Sequence, residues 1–129
     1  MDYREFYDKD IVSIRDLSRE QIETILDLSE KMIPIAKGEK KSKMLDGRIV
    51  GNLFFEPSTR TRLSFESAAH RLGADVIDVS QISATSISKG DTLSDTIRMV
   101  DAYCDVIVLR HPYEGAARLA ANVSENPVI

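Results

Sequence analysis

Apolar side chains recur at three-, four- and seven-residue spacing through residues 18–33, SREQIETILDLSEKMI. Ile22, Ile25, Leu26, Ser29, Met32 and Ile33 fall on one face, which predicts an amphipathic helix packed on one side. Ser18 stands as its N-cap, and Gln21 three residues later completes a capping box. Pro34 disturbs the pattern, and Gly38 opens the basic stretch GEKKSK, read as a solvated turn. The period then shortens. Residues 48–55, RIVGNLFF, form a β-rich apolar run. Ser58 to Leu72 returns to helical spacing, with Leu63, Ala68, Ala69 and Leu72 apolar. DVIDVS at 75–80 predicts a strand, and Ser94 to Tyr103 a helix capped by Asp91 or Thr92. DVIVLR at 105–110 is a nearly continuous apolar strand. Gly115 to Val123 is an Ala-rich helix, and Pro127 to Ile129 begins another strand.

Strand and helix alternate three times, and the third strand is apolar on both faces. That pattern predicts the α/β class: three layers, with a parallel sheet of about four strands flanked by helices. Ligands of such sheets bind beyond the carboxyl ends of the strands. The length of 129 residues fits a single domain. Apolar residues make up 43%, and Gly and Pro together number only ten, which excludes a disordered tail or a collagen-like chain. Seventeen Lys and Arg against 21 Asp and Glu leave a net charge of −4. This balance gives no support to nucleic-acid binding, so any anion site must be local. Cys104 is alone and has no internal disulfide partner, which fits a reducing compartment. The acidic, aromatic start MDYREFYDKD is unlike a signal peptide, and no apolar run approaches the roughly 20 residues of a membrane span. The expectation is a cytoplasmic protein without membrane or nucleic-acid partners. Glu125-Asn126-Pro127-Val128-Ile129 stops just inside an apolar strand, so the chain is expected to be part of something longer.

The chemistry should therefore follow the strands. After the first comes Glu56-Pro57-Ser58-Thr59-Arg60-Thr61-Arg62. Three hydroxyls here stand beside helix N-terminal amides that have no partner within the helix. Arg60 and Arg62 place cations where the helix dipole disfavours them by roughly 0.3–1 kcal/mol. A bound phosphate would remove that penalty and accept the amides. The alternative is an ordinary N-cap, with two surface arginines paired to Glu56 and Glu66. The glycines and Lys-Ser/Thr pair of a Walker loop are missing. After the second strand, Gln81 to Asp91 is a hydroxyl-rich loop with a lone Lys89. It is either a surface loop or a cover for an anionic ligand. After the third, Arg110 ends an apolar strand at the sheet's carboxyl edge. His111, before Pro112, reads as a turn histidine with a general base as the alternative. Cys104, at the opposite edge, reads as a small buried hydrophobe. His70 and His111 are far apart in sequence, and neither a metal cluster nor a Ser-His-Asp set is visible.

These motifs resemble a known family. Phe54-Phe55-Glu56-Pro57-Ser58-Thr59-Arg60-Thr61-Arg62-Leu63-Ser64-Phe65-Glu66 is similar to the carbamoyl-phosphate motif of the carbamoyltransferases. Lys89-Gly90-Asp91-Thr92-Leu93-Ser94-Asp95-Thr96 and Arg110-His111-Pro112-Tyr113-Glu114-Gly115-Ala116-Ala117-Arg118 resemble its aspartate-specific members. Ornithine-specific members share the Ser-Thr-Arg-Thr-Arg core and usually differ around it. The resemblance implies that Ser58, Thr59, Arg60 and Thr61 bind the phosphate of carbamoyl phosphate. It implies that Thr61 and Arg110 also hold the carbamoyl oxygen, which makes Arg60, Thr61 and Arg110 the catalytic set. Ser86 and Lys89 would belong to a loop reaching a neighbouring subunit's site, with Lys89 also binding L-aspartate. The implied assembly is a homotrimer, with regulatory chains a possible further partner; no metal or organic cofactor is implied.

The resemblance further implies that residues 1–129 are the carbamoyl-phosphate-binding domain alone. A His and a Gln that complete the site, and the aspartate-binding domain, would follow Ile129. The 129 residues by themselves are then expected to bind phosphate ligands weakly and to be inactive. The alternatives are a stand-alone, non-catalytic phosphate-binding or regulatory module, and an ornithine-type carbamoyltransferase domain.

Overall fold

The structure is a computed structural model, described here for residues 2–79 and 92–129. Two 3-10 turns, Arg4–Phe6 and Ile14–Asp16, lead into helix α1, Arg19–Ala36. Strand β1 (Ile49–Phe54), helix α2 (Thr59–Arg71), strand β2 (Asp75–Val79), helix α3 (Leu93–Asp101), strand β3 (Val106–Arg110) and helix α4 (Ala116–Val123) follow. The strands are parallel in the order β2-β1-β3. Val128 bridges Ile107 in parallel, so the last residues start a fourth position beside β3. Three bonds make this pairing: Ile107 N–H to the Pro127 carbonyl, Ile129 N–H to that of Ile107, and Leu109 N–H to that of Ile129. The expected three-layer α/β arrangement with about four strand positions is what forms.

Alternation along β1 splits the core in two. Leu53 points to the face covered by α3 and α4, where it meets Ile97, Val100, Cys104, Ile107, Ala120 and Val128. Val50 and Phe54 point to the other face, against Ala69 of α2, Ala74 and Val108. Gly51 is required by close approach: a Cβ there would lie 3.1 Å from both Cys104 Sγ and Val100 Cγ1. Beyond the fourth position, Ile11 N–H donates to the Val128 carbonyl, and Val128 N–H donates to Asp10 Oδ1. The N-terminal segment thereby covers an edge that would otherwise present free backbone groups.

Helix α1 carries the expected capping box: Ser18 Oγ accepts from Gln21 N–H, and the Gln21 side chain accepts from Ser18 N–H. Two expectations for this helix change. It continues through Pro34 to Ala36, at the loss of the one internal bond that residue 34 would donate. Gly38 N–H then bonds to the Ile35 carbonyl and Glu39 N–H to that of Pro34, a Schellman closure that needs the left-handed φ of +76° at Gly38. The inward face also turns. Ile22, Ile25, Leu28, Met32 and Ile35 are the sheltered positions, while Leu26 and Ile33 are exposed. In α2, similarly, Phe65, Ala69 and Leu72 face the protein, whereas Leu63 and Ala68 face outward. Neighbouring spacings give competing apolar stripes on a helix, and the packing surface selects one.

A polar knot fixes the run into the fourth strand position. Asp101, the last residue of α3, accepts from Ser124 Oγ at 2.7 Å, Glu125 N–H at 2.9 Å and Asn126 Nδ2 at 2.9 Å. Asn126 Nδ2 also donates to the Cys104 carbonyl. Burial pushes the Asp101 carboxyl up, but these bonds outweigh it and hold it below the ordinary carboxylate value. A carboxyl whose pKa falls on folding adds stability above its unfolded value, and this is lost as pH drops through the folded one. Stability should therefore decline below about pH 4. Asp101→Asn should be less stable at pH 7 and lose less on acidification, as read by thermal melts at pH 7 and pH 3. Parallel losses in both proteins would remove Asp101 as a source of acid sensitivity.

Candidate functional site

Strand order places the site. From β1 the chain moves through α2 to one side, and after β2 it returns across β1 to β3. The connections leaving β1 and β3 thus go to opposite faces, and a crevice opens between their carboxyl ends. Phe54 pairs with Arg110 in the register, and Phe55 N–H donates to the Arg110 carbonyl. The turn Glu56–Ser58 and the residues after Arg110 therefore meet at this crevice. Two clefts open there and share Phe54 and Glu56. One, of about 380 Å³, includes Thr61, Arg110, His111 and Tyr113 in its lining. The other, of about 340 Å³, includes Ser58, Thr59 and Arg62.

The N-terminus of α2 lacks the usual complements of a helix start. Ser58 occupies the N-cap position with φ −156° and ψ 72°, yet its side chain accepts no capping bond. No acidic residue stands in the first turn. By contrast, Ser13, Ser18 and Thr92 cap their turns or helices with their hydroxyls. Arg62 N–H makes the first internal bond, to the Ser58 carbonyl at 2.9 Å. The amides of Thr59, Arg60 and Thr61 have no described acceptor, as expected for the leading N–H groups of a helix. Arg60 is exposed and pairs with none of the described residues.

The other cations are committed in different ways. Arg62 differs from the expectation that it serves the anion. Its Nη1 donates to Asp78 Oδ2 at 2.9 Å and lies 3.4 Å from Glu66 Oε2, so two carboxylates neutralise it. The partner Glu66 was expected of a surface arginine; Asp78 comes from β2, and only the sheet brings it near. Arg110 Nε donates to Glu56 Oε1 at 2.6 Å. With one N–H so engaged, the guanidinium keeps further donors for a ligand. Glu56, expected in the alternative to pair with an arginine of the α2 start, pairs instead with Arg110 of β3. Its side chain gains its role because β1 and β3 end side by side.

His111 has the turn role. Its Nδ1 accepts from Tyr113 N–H at 3.0 Å, and its ring stands edge-on to Phe55 with centroids 5.7 Å apart. Burial lowers its pKa below the ordinary histidine value, and the Glu56 charge partly opposes this. Cys104 is buried, as expected. Burial first, and then the charge of Asp101, push its thiol up to about 11, which keeps it protonated and unreactive at neutral pH. Ser86 and Lys89 lie outside the described residues. Among the described residues no group of three His, Cys, Asp or Glu side chains could hold a metal ion. No helix among them is long and apolar enough to cross a membrane.

One polar group buried beneath α2 is out of keeping with its strand. Asn52, in the centre of β1, is 0% exposed. Its Nδ2 donates to the Arg62 carbonyl at 3.2 Å, while its Oδ1 has no partner among the described residues. Burying an unpaired acceptor costs roughly 1–3 kcal/mol, so an apolar residue would serve packing better here.

Comparison with known proteins assigns this arrangement to a family. Residues 9–129 match the family model described as aspartate/ornithine carbamoyltransferase, carbamoyl-P binding domain. An aspartate carbamoyltransferase catalytic subunit of Archaeoglobus fulgidus is 60% identical over 119 residues, covering 92% of this chain and 40% of the relative. That of Methanosarcina barkeri is 52% identical over 124 residues, covering 96% and 40%. The crystal structure of the M. jannaschii catalytic subunit superposes with a TM-score of 0.86 at 48% identity, over 93% of this chain and 40% of that one. An aspartate transcarbamoylase from Trypanosoma cruzi, solved with carbamoyl phosphate and aspartate, superposes with a TM-score of 0.84 at 40% identity, over 94% and 37%. The chain thus spans about 40% of the length of the curated relatives it matches.

Proposed function

Since the chain belongs to the aspartate/ornithine carbamoyltransferase family by way of its carbamoyl-phosphate-binding domain, we propose that residues 1–129 supply the carbamoyl-phosphate half of an aspartate carbamoyltransferase site. The reaction is transfer of the carbamoyl group from carbamoyl phosphate to L-aspartate. A C–N bond forms between the aspartate amine and the carbamoyl carbon. The C–O bond to phosphate breaks, the amine gives up a proton, and N-carbamoyl-L-aspartate and phosphate result. The T. cruzi relative, with both substrates in its structure, supports this choice of substrates. The observation that carries it is the start of α2: a helix end whose leading amides have no described acceptor, with no acidic residue in its first turn and Arg60 free of described partners.

In this reading the amides and hydroxyls of Ser58, Thr59 and Thr61 take the phosphate oxygens, with Arg60 as the balancing cation. Thr61 and Arg110 share one cleft, the position from which both reach the carbamoyl oxygen. Negative charge grows on that oxygen as the amine attacks, and donors held in place beforehand stabilise it. Glu56 orients Arg110 by taking its Nε–H. Ser86 and Lys89 are the proposed contributions to a neighbouring subunit's site, with Lys89 on aspartate. A homotrimer, regulatory chains and a cytoplasmic setting belong to the same proposal.

The test is titration with phosphonoacetamide, a stable analogue of carbamoyl phosphate. Arg60→Ala should remove a charge-assisted contact worth about 1.5–3 kcal/mol. Equal affinity in the variant, against a measurable baseline, would overturn the phosphate assignment. The 129 residues alone should form no carbamoylaspartate, because they hold only the phosphate-binding half of the site. Turnover by the purified 129-residue chain would contradict that expectation.

A further inference from the structure

The first turn of α2 must be held still if its amides are to meet a phosphate. Two polar ties hold it, both ending on Arg62. The first runs from the middle strand: Asn52 Nδ2 donates to the backbone carbonyl of Arg62, the fourth residue of α2. The second runs from the edge strand: Asp78 Oδ2 accepts from Arg62 Nη1 at 2.9 Å. Asn52 and Asp78 are direct partners in the β1–β2 register, so both stand in one row on the face that α2 covers. Further along, α2 rests on the sheet through apolar contacts of Phe65 and Ala69. The polar ties are concentrated at the end that carries Ser58, Thr59, Arg60 and Thr61. Asp78 is also the next-to-last residue of β2, at the carboxyl edge where the site opens.

We propose that Asn52, Arg62 and Asp78 are positioning residues that fix the first turn of α2 against the carboxyl ends of β1 and β2. This rests on the reading of that turn as the phosphate site and adds to it the device that aims the turn. Arg62 then acts through its neighbours, as its two carboxylate partners already match its charge. The buried Asn52, whose Oδ1 has no partner among the described residues, is the local packing cost at which the backbone tie is kept. Rules of local packing are broken most often where function requires a fixed geometry.

The positioning role and a simple charge role predict opposite signs. Removing the Asp78 carboxylate makes the site more positive, so electrostatics alone would tighten anion binding. Loss of an anchor would weaken it, since binding is sensitive to small misplacements of the donors. The experiment measures phosphonoacetamide affinity in the protein at the full length its gene encodes. Asp78→Asn should bind about fivefold more weakly or worse, and Asp78→Glu should restore most of the affinity. Asn52→Ser, which keeps a small polar side chain but loses its reach, should weaken binding similarly. Thermal melts verify that each variant is folded at the assay temperature. If Arg60→Ala weakens binding while folded Asp78→Asn and Asn52→Ser bind as tightly as the parent, or more tightly, the positioning role is wrong. If Arg60→Ala itself has no effect, the phosphate reading fails, and this inference falls with it.

Discussion

Arg110→Ala should lower carbamoyl transfer by about 10²–10³-fold in the protein at its full natural length. Arg110 ends β3 with its guanidinium at the crevice, in the same cleft as Thr61. One N–H is engaged by Glu56, which fixes the plane of the group and leaves other donors free. The charge it is proposed to meet grows only as the amine attacks. The loss should therefore fall mainly on kcat, with a smaller change in KM. Arg110→Lys should recover only part, because an ammonium cannot hold Glu56 and present a second donor in a fixed fork. The variant also frees Glu56, whose unpaired carboxylate would repel a phosphorylated substrate. A double variant, Arg110→Ala with Glu56→Gln, separates the two effects: recovery of KM without recovery of kcat is expected. A kcat within about fivefold of the parent in Arg110→Ala would remove the residue from the catalytic set.

Ile107→Ala should destabilise the fold by about 2–5 kcal/mol. The side chain, on the second residue of β3, is fully buried and packs in the cluster with Leu53, Ile97, Ala120 and Val128. Its backbone also bridges β3 to Val128, so the neighbours are tied on both sides and have little freedom to collapse into the space. Truncation thus adds a cavity to the lost transfer free energy. For a domain of this size, the melting temperature should fall by roughly 8–20 °C. Met99→Ala is the matched control. Met99 is 59% exposed on α3, and its loss should stay within about 0.5 kcal/mol. Equal shifts in the two variants would mean that the β3 face is not the main core.

Much of the fold was legible along the chain because its signals are local. Alternation of apolar strands and amphipathic helices reflects the 2.0 and 3.6 residue periods directly. Ser18 and Gln21 mark the start of α1 through bonds that span only three residues. Cys104 read as a buried hydrophobe, and it is one. Less legible were choices that depend on a partner surface. Leu26 and Ile33 lie on as good an apolar stripe as Leu28 and Ile35, and only the packed neighbour distinguishes them. Pro34 looked like a terminus, but a helix can carry it one turn from a Schellman closure.

By itself, the sequence determined the α/β class, the sheet's parallel sense and the concentration of chemistry after each strand. It also placed Ser58, Thr59, Arg60 and Thr61 as candidates, because cations among the hydroxyls of a helix start violate a local electrostatic rule, and Arg110 because it ends an apolar strand at the sheet's carboxyl edge. What each charge does was decided by tertiary structure alone. Arg60 and Arg62 are two residues apart and chemically identical, yet one is exposed without a described partner and the other is held by Asp78 and Glu66. Arg110 and Glu56 are 54 positions apart and in contact. Asn52 reads as an anomaly in an apolar strand until α2 lies over it and Arg62 presents its carbonyl. Periodicity is carried by neighbours in the chain. Charge pairing depends on distances of a few ångströms, and for Asn52, Asp78, Glu56 and Arg110 those distances exist only once the strands lie side by side.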